Sequence, residues 1–198
     1  SSIMNAFKRR EVYATTGPRI KVRMFGGWKF KNKDASAKKF AKIGYKKGVP
    51  MGGDLSQAPK NKAPRFIIQA SKDPVGANLD RIQIVKGYLD ASGVAKEQVY
   101  NVAASNNRAL KNDMVALQST VDGETARYEN STGASQLQTL WVDPDFDPQQ
   151  RAFYYARVLE IATPRHTTFD KVALRAEPDA GRVELQERAY TSPIWYTP

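Results

Sequence analysis

Apolar and polar residues alternate along most of this chain, and the alternation predicts strands. In Ile20-Lys21-Val22-Arg23-Met24-Phe25 basic side chains separate apolar ones, the pattern of a half-buried strand. Gly26-Gly27 marks a turn or bulge after it, and Trp28 and Phe30 continue the alternation. Residues 66–70, 82–85 with Tyr88 and Leu89, 99–104 and 137–142 read as further strands, with turn signals at 73–76 and at Asp122-Gly123. The strongest strand lies at 152–161. Phe153, Tyr155, Leu159 and Ile161 fall on one face, and Tyr154, Ala156 and Val158 on the other, which predicts a central strand covered on both sides. Residues 190–196 supply the last strand, and Asp143 to Pro148 a proline-bounded turn.

Helical spacing is scarce. Residues 2–11 predict a short helix capped by Ser1 and Ser2, with Ile3, Met4, Ala6 and Phe7 as its apolar side and Lys8-Arg9-Arg10 at its closing end. So short a helix is marginal by itself and is expected to belong to a neighbouring structure. Residues 12–16 turn strand-like until Gly17-Pro18. Asp34 is expected to cap a second short helix with Ala37, Phe40, Ala41 and Ile43 at helical spacing. Residues 48–54 are too glycine-rich for a strand interior, and 105–120 and 164–181 read as polar loops. Seven or eight strands after one short helix predict a mainly β fold. The expected architecture is an immunoglobulin-like antiparallel β-sandwich over residues 12–198, preceded by a terminal helix within residues 1–11.

Composition narrows the chemistry. The 198 residues are 41% hydrophobic and 26% charged, a globular balance. No apolar run approaches the roughly 18 residues that span a bilayer, and no signal peptide is visible. The chain contains no cysteine and one histidine, His166. A zinc cluster of the usual kind cannot be built from that set. A Ser-His-Asp site would have to use His166, and no G-x-S-x-G accompanies it. No catalytic or cofactor-binding residue emerges. The absence of cysteine suits cytosol or periplasm and excludes only a disulfide-stapled scaffold.

The net charge of +11 is uneven. Residues 1–50 hold 14 Lys and Arg against Glu11 and Asp34, while the rest of the chain is nearly neutral. This basic stretch reads as an anion-binding footprint, as a solvated face, or as a surface for an acidic partner domain. No RNP, KH or finger motif accompanies it, so nucleic acid is not the expected partner. Asp143, Asp145 and Asp147 alternate and offer oxygens of the kind calcium takes, though proline-bounded turn chemistry explains them as well. His166 reads as a loop histidine. Trp28, Trp141 and Trp195, with Tyr154, Tyr155, Tyr190 and Tyr196, suit either a sugar-stacking platform or inter-sheet packing.

Several longer stretches are more specific. They include Phe7-Lys8-Arg9-Arg10-Glu11-Val12-Tyr13 within 6–19, Phe25-Gly26-Gly27-Trp28, Val49-Pro50-Met51-Gly52-Gly53-Asp54-Leu55, Asn78-Leu79-Asp80-Arg81-Ile82-Gln83-Ile84-Val85-Lys86-Gly87 within 72–87, Asp143-Pro144-Asp145-Phe146-Asp147-Pro148 with 151–160, and Ala189-Tyr190-Thr191-Ser192-Pro193-Ile194-Trp195-Tyr196 within 186–196. Together they resemble the C-terminal part of bacterial domain-of-unknown-function family 3604 over nearly the whole chain. The resemblance implies a parent of the PHP and amidohydrolase type, a metal-dependent hydrolase whose N-terminal barrel carries the metal motifs. None of those motifs maps here. The chain, which does not open with methionine, would then begin in the barrel's closing helix. Any divalent metal would be held upstream, and the partner would be that barrel in the same polypeptide. The expected function is a non-catalytic region that stabilises the barrel or shapes its cleft. The alternative is a binding module for glycans or polyanions. Arg19 and the 48–54 loop, with Gly52, Gly53 and Asp54, are the expected barrel-facing residues, because glycine-rich loops allow close backbone approach. Members of the family tend to have an aromatic where His166 stands, and exported members imply a periplasmic or external setting.

Overall fold

A computed structural model describes residues 2–176 and 181–198. The expected cap Ser1 and residues 177–180 of the expected 164–181 loop lie outside the described residues. Helix α1 (Ser2–Lys8) leads into β1 (Tyr13–Thr15) and β2 (Lys21–Gly27). Two short helices, α2 (Asn32–Ala35) and α3 (Phe40–Lys47), precede the brief strands β3 (Val49–Pro50) and β4 (Asp54–Leu55). The long strands follow: β5 (Arg65–Ser71), β6 (Leu79–Leu89), β7 (Ala95–Ala104), β8 (Gln136–Val142) and β9 (Ala152–Pro164). Helix α4 (His166–Leu174), β10 (Glu184–Thr191) and β11 (Ile194–Tyr196) complete the order. The protein is mainly β, with 39% strand and 15% helix.

The smaller sheet has the order β3-β2-β5-β8, with antiparallel ladders throughout. The larger is built on β9. One edge of β9 pairs with β6, which pairs with β7; the other edge pairs first with β11 and then with β10. β1 extends the sheet beyond β10, and β4 extends it beyond β11 in the single parallel ladder of the described residues. Val22, Met24, Phe66 and Ile68 from the smaller sheet and Ile82, Ile84, Tyr154 and Ala156 from the larger one share one buried cluster. Burial of such side chains, at about 25 cal/mol per Å² of apolar area, holds the two sheets together. A second cluster joins Phe25 and Ile67 to Phe30, Ala35 and Phe40, so α2 and α3 cover the other side of the smaller sheet.

Several expectations need correction. Gly26-Gly27 is not a turn: both residues stay in β2 and pair with Phe66 and Arg65. A Cβ on Gly26 would stand 2.9 Å from the Phe66 ring, so the bare backbone is what lets the core press on this strand. Asp34 does not precede its helix but lies inside α2, where its carboxylate accepts the Lys31 amide at 2.8 Å. The 48–54 loop contains the two short strands β3 and β4, which the expectation for a glycine-rich loop excluded. The 164–181 region is not a loop throughout, because α4 occupies much of it. The single strand expected at 190–196 is two strands, broken at Ser192-Pro193 where proline lacks the amide a ladder needs. β9 is central, but only its Tyr154, Ala156 and Val158 face is fully covered; Phe153 and Tyr155 on the other face are half-buried.

Candidate functional site

The alternating aspartates do not converge. Asp143 points into the core between the sheets, where Lys86 meets it at 2.7 Å. Lys86 lies on β6 in register with Tyr154 of β9, on the face that also carries Ile84, and it is 2% exposed. Its Nζ also donates to the Asp145 carbonyl at 2.8 Å. The Tyr154 hydroxyl donates to Asp143 at 2.7 Å, and the Tyr100 hydroxyl to the Asp145 carboxylate at 2.8 Å. Burial and the Asp143 charge push the Tyr154 phenol well above its ordinary range; burial and the bond to Asp145 do the same for Tyr100. Both phenols therefore act as fixed donors rather than bases. Asp147 turns away, and its carboxylate accepts the Gln149 amide at 2.8 Å. Among the described residues no cluster of three His, Cys, Asp or Glu side chains is placed to hold a metal ion. The turn ties a buried lysine into the core, where no substrate reaches it.

Two further buried acids sit where the ladders of the larger sheet lose register. Asp80 is the extra residue between Leu79 and Arg81 of β6, opposite the continuous Leu159-Glu160 of β9. Its fully buried carboxylate binds Arg81, Arg108 and, at 2.8 Å, the Gln186 amide nitrogen. Its carbonyl accepts the Ser105 hydroxyl at 2.9 Å, so Asp80 fastens the start of the irregular 105–120 segment to the sheet. Glu160 lies at the matching irregularity between β9 and β10 and is 1% exposed. Its Oε1 has no hydrogen-bond partner among the described residues. Burial, helped by the Glu187 and Asp73 charges and opposed by Lys72, pushes its carboxyl up to about 7. The sequence carried one partial signal for Lys86, Asp80 and Glu160 alike: a charge beside apolar residues within a strand.

The aromatic set divides. Trp28 packs on Phe146 and Tyr196 at ring distances of 5.8 and 6.0 Å, and Trp141 packs on Phe66, Tyr100 and Tyr154. These rings are inter-sheet packing. Trp195, Phe153, Tyr155 and Tyr190 lie on the outer face of the larger sheet instead. The Trp195 ring is 5.1 Å from Phe153, and Tyr155 is 6.4 Å from Tyr190. Farther along that face Arg157, Gln83 and Asn101 form a side-chain chain that ends on the Lys111 carbonyl, so the 105–120 segment covers that part.

Gly52, Gly53 and Asp54 come together beside the chain that leaves α1. Arg10 reaches Asp54 at 2.7 Å, and the Gly52 amide donates to the Pro193 carbonyl at 3.1 Å. Gly52 has φ +86°, and a Cβ there would overlap the Arg10 carbonyl. Gly52→Ala should therefore cost about 2 kcal/mol or more from the left-handed backbone and the overlap together, measurable by urea unfolding. Arg19 does not join this group; it precedes β2, and its amide donates to Asp73 at 2.8 Å. His166 is exposed at the start of α4.

The basic residues collect at the smaller sheet. Lys47 pairs with the buried Asp34 at 2.7 Å. Although burial opposes it, this contact and the Lys31 amide hold the Asp34 carboxyl below its ordinary range. A groove of about 580 Å³ opens where β2 ends and β5 begins, lined by Trp28, Lys29, Lys31, Asn61, Lys62 and Arg65 among others. No helix among the described residues is long and apolar enough to cross a membrane. No curated protein and no solved structure matches the chain. The family model described as "Protein of unknown function (DUF3604)" matches residues 1–198, and the chain belongs to that family.

Proposed function

We propose that this chain is a non-catalytic C-terminal region of a PHP-like metal-dependent hydrolase, its two facing sheets an immunoglobulin-like sandwich that supports the catalytic barrel or walls its cleft. One observation carries the reading. Helix α1 has no buried residue, and its Ile3 and Phe7 are 67% and 60% exposed. The chain just after it is nevertheless held firmly: Arg10 pairs with Asp54, and the Ser192 amide donates to the Val12 carbonyl at 3.0 Å. An apolar helix side held out on a fixed stem suits a preceding domain that covers it. In this role residues 1–11 belong to the barrel, residues 12–198 form the companion domain, and divalent metal is bound by the barrel alone. The Gly52–Asp54 turn supports the stem, whereas Arg19 has no part in it.

The test has two arms. Ile3→Asp with Phe7→Asp should leave the unfolding free energy of the 198-residue chain within about 0.5 kcal/mol, as for exposed positions. The same pair should depress solubility and turnover of the full gene product. The chain by itself should show no phosphatase, esterase or amidase turnover with manganese, zinc or magnesium. Turnover that disappears with His166→Ala, or a gene whose coding region has no metal-motif barrel ahead of Ser1, overturns the reading.

A further inference from the structure

We infer that the groove between the end of β2 and the start of β5 is a binding site for an anionic oligosaccharide, sulfated or carboxylated. Its walls hold four cations, Lys29, Lys31, Lys62 and Arg65, and no acid. Lys29, Lys31 and Lys62 are exposed, and none of the four makes an ion pair among the described residues. The acids closest in sequence are already engaged, Asp34 by Lys47, Asp54 by Arg10, and Asp73 by the Arg19 and Val75 amides. Like charges gathered in one concavity repel one another, and no acid in the groove's lining offsets that repulsion. An anionic ligand does, and the walls of a groove focus the field on it.

Three features select the ligand class. Arg65 is fixed in place, because its Nη1 donates to the Phe30 carbonyl at 3.1 Å, and its remaining guanidinium hydrogens suit a carboxylate or sulfate. Trp28 gives the groove a partly exposed aromatic wall, and that ring is braced by packing on Phe146 and Tyr196. A braced aromatic edge beside cations matches a sugar ring carrying an acidic group. The size fits as well: about 580 Å³ holds a short saccharide segment. A single strand of nucleic acid is held by a succession of stacking rings along a basic track, whereas of the two aromatics lining this groove Phe30 is buried and only Trp28 is partly exposed. The inference does not depend on the role proposed for α1.

Binding of a heparin hexasaccharide, of an oligogalacturonate and of a neutral dextran fragment to the 198-residue chain tests the assignment by calorimetry at about 50 and about 200 mM salt. At least one of the acidic sugars should bind and the dextran should not, with affinity falling at least about fivefold across that salt range as counterions are released. Preference between the two acidic sugars identifies sulfate or carboxylate as the recognised group. Lys31→Gln with Lys62→Gln should weaken binding at least tenfold. Lys38→Gln with Lys39→Gln, equal in charge lost and placed outside the groove, should weaken it less than twofold. Circular dichroism and thermal melts confirm that both pairs of variants fold. Failure of both acidic sugars to bind overturns the inference. So does equal weakening by the two double variants, which would mean net charge alone, and so does tighter binding of a single-stranded oligonucleotide of matched charge.

Discussion

Lys86→Met should lower the unfolding free energy by about 3–5 kcal/mol, the cost of leaving one member of a buried pair uncompensated. The side chain is nearly isosteric, so loss of volume contributes little. What remains is Asp143, whose side chain has no exposure, with the Tyr154 hydroxyl and the Asp145 amide as its partners. The Asp145 carbonyl loses its donor too. For a chain of this length the melting temperature should fall by about 10 °C. The double variant Lys86→Met with Asp143→Asn separates charge from shape. Asparagine still accepts the Asp145 amide and carries no charge, so the double variant should be more stable than the lysine variant alone. A coupling energy of at least about 1 kcal/mol is expected for groups in direct contact. Urea unfolding of Lys86→Met, of Asp143→Asn and of the double variant gives the result, and a cost below about 1 kcal/mol for Lys86→Met would show that water or rearrangement rescues the aspartate.

Glu160→Gln should act in the opposite direction. The folded protein holds the Glu160 proton up to about pH 7, whereas an unfolded glutamate releases it near about 4.3. Below about pH 4 both states are protonated and the residue is neutral toward stability. Between about 4.5 and 7 the unfolded chain has lost the proton and the folded one keeps it, so stability falls as pH rises through that window. Above about 7 the loss is complete, on the order of 3 kcal/mol. The substituted glutamine carries no titrating proton, so the variant should match the parent at about pH 4 and exceed it by about 2–3 kcal/mol at about pH 8. Asp34, Asp73, Asp90 and Asp122, whose carboxyls are held below their ordinary range, contribute the reverse dependence at lower pH and are common to both proteins. Parallel stability curves for parent and variant from about pH 5 to 8 would refute the assignment of a perturbed Glu160.

Much of the sheet framework was legible in the sequence. β2, β5, β6, β8 and β9 form where the apolar patterns predict strands, the first halves of β2 and β9 alternate in burial as they do in sequence, and the signals at 73–76 and Asp122-Gly123 mark real turns. Elements set by tertiary contact were not legible. Strand β10 begins with Glu184-Leu185-Gln186-Glu187-Arg188, a polar run that is a strand because it pairs along β9. Helix α4 starts after Arg165, which makes no side-chain cap bond, so no capping residue announced it. The candidate site shows the same division. The 143–148 turn was read correctly as a turn, but its purpose lies in Lys86, 57 positions earlier, and only the fold brings the two together. Asp80 and Glu160 escaped notice for a related reason: local slips in strand register place them, and spacing along one strand does not encode a slip against another. The basic imbalance of residues 1–50 was plain, yet the groove that concentrates it also draws on Lys62 and Arg65.

The pairing of β1 with β10 and of β4 with β11 has a consequence for biosynthesis. Residues 13–15 and 54–55 leave the ribosome long before their partners at 189–191 and 195–196. The β6–β7 hairpin can form first because its partners are close in sequence, and β9 can add to it while translation continues. The earlier edge segments must wait, unpaired and open to other chains, until those partners emerge. Slowing translation just ahead of the β10 and β11 codons should therefore raise aggregation of the nascent chain more than the same delay placed before β8.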